Sequence, residues 1–175
     1  MADPNIAIQL VLATEGGFVN AANDSGGATN WGITQAEYEL WVGHPVTEDD
    51  IKNMTVQEAK AIYQKNYWEA LSLDQVADQH VANALMDQCV NRGVPTMALH
   101  LQLVLRSLGY AVGTDGRIGP HTLQALNSAN PRQVLFALFV DAQKAYVSIV
   151  QNKPSQLQFL PEWISRSQAL IKTLV

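Results

Sequence analysis

Two carboxylates and a hydroxyl lie close together near the start of the chain, in the stretch ATEGGFVNAANDSGGATNWGIT, residues 13–34. Asp24 follows Glu15 by nine residues, and Thr29 follows Asp24 by five. A carboxylic acid that donates a proton, with a second carboxylate that activates water or stabilises positive charge, forms the machinery of glycoside hydrolysis. Glu15, Asp24 and Thr29 are therefore the candidate catalytic residues, with Thr29 helping to hold an attacking water.

Glu15 is predicted to end the first helix, which is apolar almost all round and is stopped by Gly16 and Gly17. The C-terminal end of a helix is partly negative, so it disfavours a carboxylate and favours the protonated acid. Burial against an apolar core acts in the same direction. We therefore expect Glu15 to be a general acid at the floor of a groove, where the two glycines leave room for a bulky substrate.

Simpler explanations remain for both acids. Glu15 could be a hydrated side chain at a helix surface. Asp24 could form an Asx turn within ANDSGG, because Asn, Asp, Ser and Gly are typical turn residues. An Asx turn is also compatible with a catalytic carboxylate.

The elements that must position these residues are mostly helices. Asp3 followed by Pro4 predicts the start of the first helix, and capping boxes at Thr34 and Thr55 predict helices over 34–42 and 56–68. Residues 18–33 contain too many Gly, Asn and Asp for a helix and predict one small irregular β-hairpin. A short helical turn is expected between the second and third helices. Further helices are expected over residues 74–91, 95–108, 120–128, 131–151 and 161–173.

The sequence therefore predicts a mainly α fold with a single small hairpin near residues 18–33. In the longest helix, apolar residues recur at steps of three and four, which predicts a buried stripe. The residues of this stripe are Leu135, Leu138, Ala142, Ala145 and Ile149.

Composition restricts the class of protein. The chain has 175 residues, 47% of them hydrophobic and 15% charged, which is typical of one globular body. No apolar run approaches the roughly 18 residues of a membrane span, so no stable membrane insertion is expected. Residues 1–88 carry 3 basic and 13 acidic side chains, whereas residues 89–175 carry 8 and 3. The basic second half is suited to a polyanionic partner such as a cell wall, although differing solvated helix faces would give the same split.

Sugar-binding sites combine aromatic rings with amides and carboxylates, and several such residues are candidates for a glycan cleft. Some follow the hairpin or share a helix face, and others lie in the predicted helices 74–91, 95–108 and 161–173. Aromatic core packing and support of the hairpin are the alternative roles. The candidate substrate-binding residues are Asn30, Trp31, Tyr63, Tyr67, Trp68, Asp87, Asn91, Gln102, Trp163 and Arg166.

Other chemistries fit the sequence less well. Cys89 lies in an apolar helical run, so a thiol nucleophile with a histidine base is not favoured over a buried inert cysteine. The four histidines lack the close spacing of a zinc site. No metal or cofactor is expected, and no basic, aromatic-rich surface indicates nucleic acid.

Six segments, EGGFVN, DSGGATNWGIT, IYQKNYW, MDQCVNRG, DGRIGPHTLQAL and EWISR, resemble in this order glycoside hydrolase family 108, the N-acetylmuramidases. The resemblance implies a lysozyme-like helical fold, with a muramidase segment over residues 1–92 and a peptidoglycan-binding segment over 93–175 packed on the same body. It implies cleavage of the β-1,4 bond between N-acetylmuramic acid and N-acetylglucosamine, with Glu15 as the acid. Plain helical packing is the alternative for the second segment.

The spacing of Glu15, Asp24 and Thr29 is also similar to the Glu/Asp/Thr triad of phage-type lysozymes. The second gap is about one residue shorter here, so Thr34 competes with Thr29 for the hydroxyl role. Two other functions remain open: a lytic transglycosylase that uses the same Glu15, and a non-catalytic wall-binding protein.

The expected setting is that of a phage or prophage endolysin acting as a monomer on peptidoglycan. The N-terminal residues lack a basic region and a cleavage site. We therefore expect synthesis in the cytoplasm and action on the wall in the periplasm, after release by a holin or another device. Toxin release in bacteria is a second role that the family resemblance allows.

Overall fold

The computed structural model describes residues 1–20 and 27–171, apart from the side chain of Leu170. These residues form a mainly α fold with one small antiparallel sheet, which confirms the predicted fold class. Asp24 lies outside the described residues, so its predicted role is not tested here.

The first helix, α1, spans Pro4–Glu15 and ends at the predicted residue. The side chain of Asp3 accepts a hydrogen bond from the Asn5 amide at its start, and Gly16 ends it with a positive φ of 75°. Asp3 and Gly16 thus fix both ends of α1 as the sequence indicated.

The hairpin is smaller than the predicted span of residues 18–33. Strands β1, Thr29–Asn30, and β2, Ile33–Thr34, pair antiparallel with Thr29 opposite Thr34. An isolated bridge joins Val19 to Thr29. The two strands leave only Trp31 and Gly32 to make the turn.

Three short helices follow: α2, Gln35–Val42, α3, Glu48–Lys52, and α4, Val56–Tyr63. The capping box at Thr55 is complete, because Thr55 and Glu58 each bond the other's backbone. At α2 only half of the predicted box forms. Thr34 accepts from the Glu37 amide, while the Glu37 carboxylate points to Tyr67 and Asn66 instead.

The helix predicted over residues 56–68 is α-helical only as far as Tyr63. It continues from α4 as one π-helical turn, Gln64–Trp68, which is the type of local widening that is often found at functional sites.

The central helix, α5, spans Gln79–Arg92 and begins later than predicted, because the Asp78 side chain caps it and residues Leu73–Gln75 form a 3₁₀ turn. Four further helices lie in the second half of the described chain. Helix α6 is Val94–Ser107, α7 is Pro120–Ser128, α8 is Pro131–Asn152, and α9 is Leu160–Ile171, preceded by a 3₁₀ segment Pro154–Phe159.

The core gathers around α5, which packs against α1, α6 and α8. One continuous cluster of buried side chains runs from Ala2 to Leu138, so both halves of the chain contribute to the same core. Leu85 and Met86 of α5 are fully buried within it. Burial of side chains of this size stabilises the fold by about 1.5–3 kcal/mol each.

Helix α8 is long and apolar enough, by length and composition, to cross a membrane, contrary to the prediction that no run approaches this limit. It packs against α5, α6 and α9, which is the position of a core helix. Leu135, Leu138 and Ala142 are buried as predicted, whereas Ile149 is 43% exposed. The buried stripe therefore covers only the first part of α8.

The predicted role of Gln102 in glycan binding is wrong. Its side chain is buried, donates to the Asp115 carboxylate at 2.7 Å and to the Arg117 carbonyl at 2.9 Å, and accepts from the Gly116 amide at 2.9 Å. The amide of Gln102 is therefore occupied in holding the turn between α6 and α7.

Candidate active site

Glu15 lies at a cleft of about 730 Å³ between α1, α5 and α9. Its side chain is 20% exposed, so the carboxylate is reachable from the cleft but largely covered. A volume of this size is in the range of small-molecule sites, about 300–1,000 Å³. As the last residue of α1, Glu15 also has the helix-end position on which the sequence argument relied.

The turn of the hairpin closes against the side chain of Glu15. Trp31 and Gly32 both have positive φ, 54° and 77°, as a two-residue type I′ turn requires. A Cβ atom at Gly32 would lie 2.7 Å from Cγ of Glu15 and 2.7 Å from the Tyr63 hydroxyl. The side chains of Glu15 and Tyr63 therefore leave room only for glycine at position 32. Gly16 and Gly17, which the sequence argument favoured, would meet nothing within 4 Å.

Tyr63 holds this turn in place through a hydrogen bond. It is fully buried, and its hydroxyl donates to the carbonyl of Trp31 at 2.8 Å. Burial raises the pKa of Tyr63, and the negative charge of Glu15 raises it further. Tyr63 is therefore a neutral hydrogen-bond donor that fixes the turn beside Glu15. Because it is buried, its predicted contact with substrate is wrong.

A cation faces the carboxylate, so the apolar setting expected for Glu15 is wrong. Arg166 of α9 places Nη2 at 2.8 Å from Oε1 of Glu15, and its Nε donates to Oδ1 of Asp87 at 2.9 Å. One guanidinium thus joins three helices, α1, α5 and α9. Although the Glu15 contact is short, its N–H is not aligned with the oxygen, and neither atom has another partner.

The charges in this cluster depend on each other. Burial by itself lowers the pKa of Arg166, but the carboxylates of Asp87 and Glu15 raise it above its usual value, so the guanidinium stays charged. Burial raises the pKa of Asp87 above 3.8 although Arg166 opposes the shift, and the charge of Glu15 adds to the rise. Burial therefore outweighs the ion pair with Arg166 in setting the pKa of Asp87.

Comparison with known proteins agrees with this geometry. The family model described as glycosyl hydrolase 108 matches residues 8–93, and the model described as a predicted peptidoglycan domain matches residues 97–168. The chain contains a glycosyl hydrolase family 108 domain. It is therefore a glycoside hydrolase of the muramidase type, and peptidoglycan is its binding partner.

A solved structure supports this assignment over the whole chain. SagA of Brucella abortus is similar with 28% sequence identity and a TM-score of 0.75, over 97% of this chain and 95% of that one. The fold is thus the lysozyme-like helical fold that the resemblance implied. No curated protein matches the chain significantly.

Three of the residues predicted for the site line this cleft, namely Glu15, Asp87 and Arg166. The predictions for Asn30 and Trp68 are wrong, because both side chains are buried. The Asn30 amide donates to the carbonyls of Ile51 and Lys52 at 2.9 and 3.2 Å and ties the hairpin to α3.

Trp31 and Tyr67 are partly buried beside this domain's hairpin and do not line the cleft. The Trp31 indole donates to the Met54 carbonyl at 3.3 Å, and the Tyr67 hydroxyl donates to Glu37 at 3.1 Å. Burial raises the pKa of Tyr67, as does Glu37. Asn91 and Trp163 lie together in a second groove, which the last subsection of the Results describes.

The two candidate hydroxyls of the family 108 domain have different surroundings. Thr34 is occupied as the N-cap of α2, because its side chain accepts from the Glu37 amide at 3.2 Å. Thr29 pairs with Val19 and Thr34 through its backbone and lies partly buried on β1. Thr29 is the better candidate on this ground, although neither hydroxyl lines the cleft.

Sequence reasoning missed other residues of the Glu15 cleft. His80, Asn83 and Glu162 line the cleft beside Asp87. The signal for two of them is the recurrence of polar residues at positions 80, 83, 87 and 91, which places them on one face of α5. Glu162 precedes Arg166 by four residues and so lies on the same face of α9.

Cys89 takes no part in the chemistry of the enzyme. Its side chain is fully buried in α5, and burial raises the pKa of the thiol to about 12. A thiolate nucleophile is therefore disfavoured at neutral pH. Among residues 1–20 and 27–171, no group of three or more His, Cys, Asp or Glu side chains is arranged to hold a metal ion.

Proposed function

We propose that this peptidoglycan hydrolase is an N-acetylmuramidase that cleaves the β-1,4 bond between N-acetylmuramic acid and N-acetylglucosamine. Glu15 acts as the general acid and protonates the bridging oxygen. The observation that carries the proposal is the position of Glu15 in a glycan-sized cleft, fixed from one side by the Trp31–Gly32 turn and paired on the other with Arg166.

Proton delivery requires that the ion pair between Glu15 and Arg166 opens. The misaligned Nη2–Oε1 contact is the weaker of the two contacts, since directional hydrogen bonds weaken steeply away from linearity. The Nε–Oδ1 bond to Asp87 stays in place when the first contact breaks. An entering glycan therefore releases Glu15 towards the bridging oxygen while Arg166 stays paired with Asp87.

The second carboxylate of the reaction is either Asp24 or Asp87. Asp24 remains the residue that the spacing of phage-type lysozymes favours, with Thr29 as the hydroxyl that orients water. Asp87 is the alternative, because it shares one guanidinium with Glu15 and lines the same cleft. In either position the carboxylate stabilises the oxocarbenium-like charge or activates the water.

The raised pKa of Asp87 predicts how stability depends on pH. The folded state binds the proton of Asp87 more tightly than the unfolded state, whose pKa is near 3.8. The contribution of Asp87 to the free energy of unfolding is therefore complete below pH 3.8 and falls as pH rises through the raised pKa. Asp87→Asn removes this titration.

Urea unfolding of the wild type and of Asp87→Asn between about pH 3 and pH 7 measures the effect. The wild type should lose stability relative to the variant as pH rises over this range. A difference that is constant or grows in favour of the wild type would contradict the raised pKa.

The products of digestion test the proposed reaction. Purified peptidoglycan is incubated with the protein, and the released fragments are analysed by mass spectrometry with and without borohydride reduction. Hydrolysis by a muramidase gives reducible N-acetylmuramic acid ends. A lytic transglycosylase, the alternative that uses the same Glu15, gives anhydro ends that lack one water and resist reduction. Reducible N-acetylglucosamine ends would show that the opposite bond is cleaved and would overturn the proposal.

For the biological setting, we propose a monomeric phage or prophage endolysin that binds no nucleic acid and reaches the wall after release by a holin or a similar device. Residues 1–92 would then form the catalytic segment and residues 93–175 the peptidoglycan-binding segment. Both contribute to one core, and Arg166 of the second segment contacts Glu15 of the first. Lysis of cells that co-express the protein and a holin, and no lysis without the holin, is the outcome that this setting requires.

A further inference from the structure

A second groove, of about 660 Å³, lies between α5, α6, α8 and α9 and shares no lining residue with the Glu15 cleft. We propose that this groove binds the anionic stem peptide of peptidoglycan through its carboxylates. We call it the stem groove and define it by Arg92, His100, Asp141, Lys144, Tyr146 and Trp163. The inference rests on the proposed muramidase function for the placement of the glycan in the neighbouring cleft.

An incompletely paired guanidinium group is the first observation that indicates a ligand. The side chain of Arg92 is 9% exposed, and its Nη1 donates to Asp141 at 2.8 Å. Its Nη2 is buried and has no hydrogen-bond partner among the residues that the structure describes. Arg92 lines the groove, so a small turn of its side chain would present Nη2 to a ligand there. Because buried guanidinium donors are almost always satisfied, an acceptor would complete the set, and a carboxylate forms the strongest bond of this type.

The charge balance of the stem groove also favours an anion. Arg92 and Lys144 provide two positive charges against the single negative charge of Asp141. His100 places Nδ1 at 2.8 Å from the same carboxylate, so Asp141 is already occupied by two partners. Lys144 is exposed and unlike Arg92 is free to follow a ligand at the mouth of the groove.

An aromatic wall provides apolar contact for the peptide. The Trp163 ring lies 5.4 Å from that of Tyr146 and 6.1 Å from that of Phe159, measured between ring centroids. Trp163 is partly buried and lines the groove. A rigid aromatic surface beside cations is suited to a short peptide, whose methyl and methylene groups alternate with carboxylates.

The spacing along two helices connects the stem groove with the Glu15 cleft. On α5, Asp87 lines the Glu15 cleft and Asn91 lines the stem groove. On α9, Arg166 lines the Glu15 cleft and Trp163 lines the stem groove. Each pair is about one helical turn apart, which is about 5.4 Å along the axis. The stem peptide is attached to N-acetylmuramic acid through the lactyl group of that sugar. A glycan bound at Glu15 would therefore direct its peptide towards the groove.

The test uses charge reversal at the exposed Lys144, with Lys153 as the matched control, because Lys153 is also exposed and does not line the groove. Lys144→Glu and Lys153→Glu are each made in the full chain with Glu15→Gln to prevent turnover. Calorimetry then measures binding of three probes: a tetrapeptide-bearing muropeptide, the same compound with amidated carboxyl groups, and the same glycan without peptide.

We expect Lys144→Glu to weaken binding of the tetrapeptide-bearing muropeptide by about tenfold, the usual scale for loss of a charged contact. Lys153→Glu should leave this affinity unchanged. Amidation should weaken binding to the parent protein to a similar extent, and the affinity for the peptide-free glycan should not respond to Lys144→Glu. Ser148→Glu, at another exposed position of the groove, should act in the same direction as Lys144→Glu.

Equal effects of Lys144→Glu and Lys153→Glu would overturn the proposal. So would equal losses of affinity for the peptide-bearing and peptide-free probes, because the groove would then respond to the glycan or to net charge. These outcomes are independent of which glycosidic bond is cleaved. Failure of the muramidase assignment and failure of the stem groove are therefore distinguishable.

Discussion

Glu15→Gln is expected to lower the rate of peptidoglycan hydrolysis by roughly 10²–10⁴-fold, the usual contribution of a general acid. The amide has the size of the carboxyl group but carries no transferable proton, so the shape of the cleft is retained. Binding to purified walls should be unchanged, because Glu15 ends α1 and the wall-binding segment lies elsewhere in the chain. Turbidity loss of a wall suspension measures the rate, and co-sedimentation measures the binding.

The matched control is Glu69→Gln, which removes the same charge from an exposed surface position that is paired only with Lys65. Its rate of hydrolysis should equal that of the wild type. If Glu15→Gln were as active as Glu69→Gln, then another group of the cleft, with Asp87 the leading candidate, would have to be the acid. Loss of binding together with activity would instead indicate that Glu15 supports the fold.

Gly32→Ala is expected to reduce activity on the order of 10²-fold, because a small misplacement of a catalytic group has effects of this size. The new methyl group would stand 2.7 Å from Cγ of Glu15 and 2.7 Å from the Tyr63 hydroxyl, so one of them must move. The φ of 77° adds backbone strain for any residue with a Cβ atom. Together these effects should lower the free energy of unfolding by about 1–3 kcal/mol.

Gly43→Ala separates the two causes. Gly43 has nearly the same φ, 80°, but a Cβ atom there would meet no atom of the described residues within 4 Å. This variant should show only the backbone strain, about 1 kcal/mol by urea unfolding, and full activity. If Gly32→Ala kept wild-type activity at the same loss of stability, the close approach of the turn to Glu15 would have no catalytic role.

Much of the fold follows from local signals that the sequence carries. Asp3, Pro4 and Gly16 delimit α1, and the Thr55–Glu58 box begins α4, because each satisfies backbone groups within a few residues. Where a local signal competes with a tertiary contact, the structure differs from the prediction. The capping carboxylate expected at Glu37 bonds Tyr67 and Asn66 instead, and the π-helical turn after Tyr63 has no simple sequence signature.

The sequence by itself determined the mainly α class, the family and the residue that the site is built around, since Glu15 and its glycine-rich surroundings are contiguous in the chain. Tertiary structure alone decided the electrostatic setting. Arg166 lies about 150 residues from Glu15 in sequence yet 2.8 Å away in space, and Gly32 approaches the acid only because Tyr63 holds the turn. Such contacts depend on how helices pack, and packing is set by the whole core rather than by any local pattern.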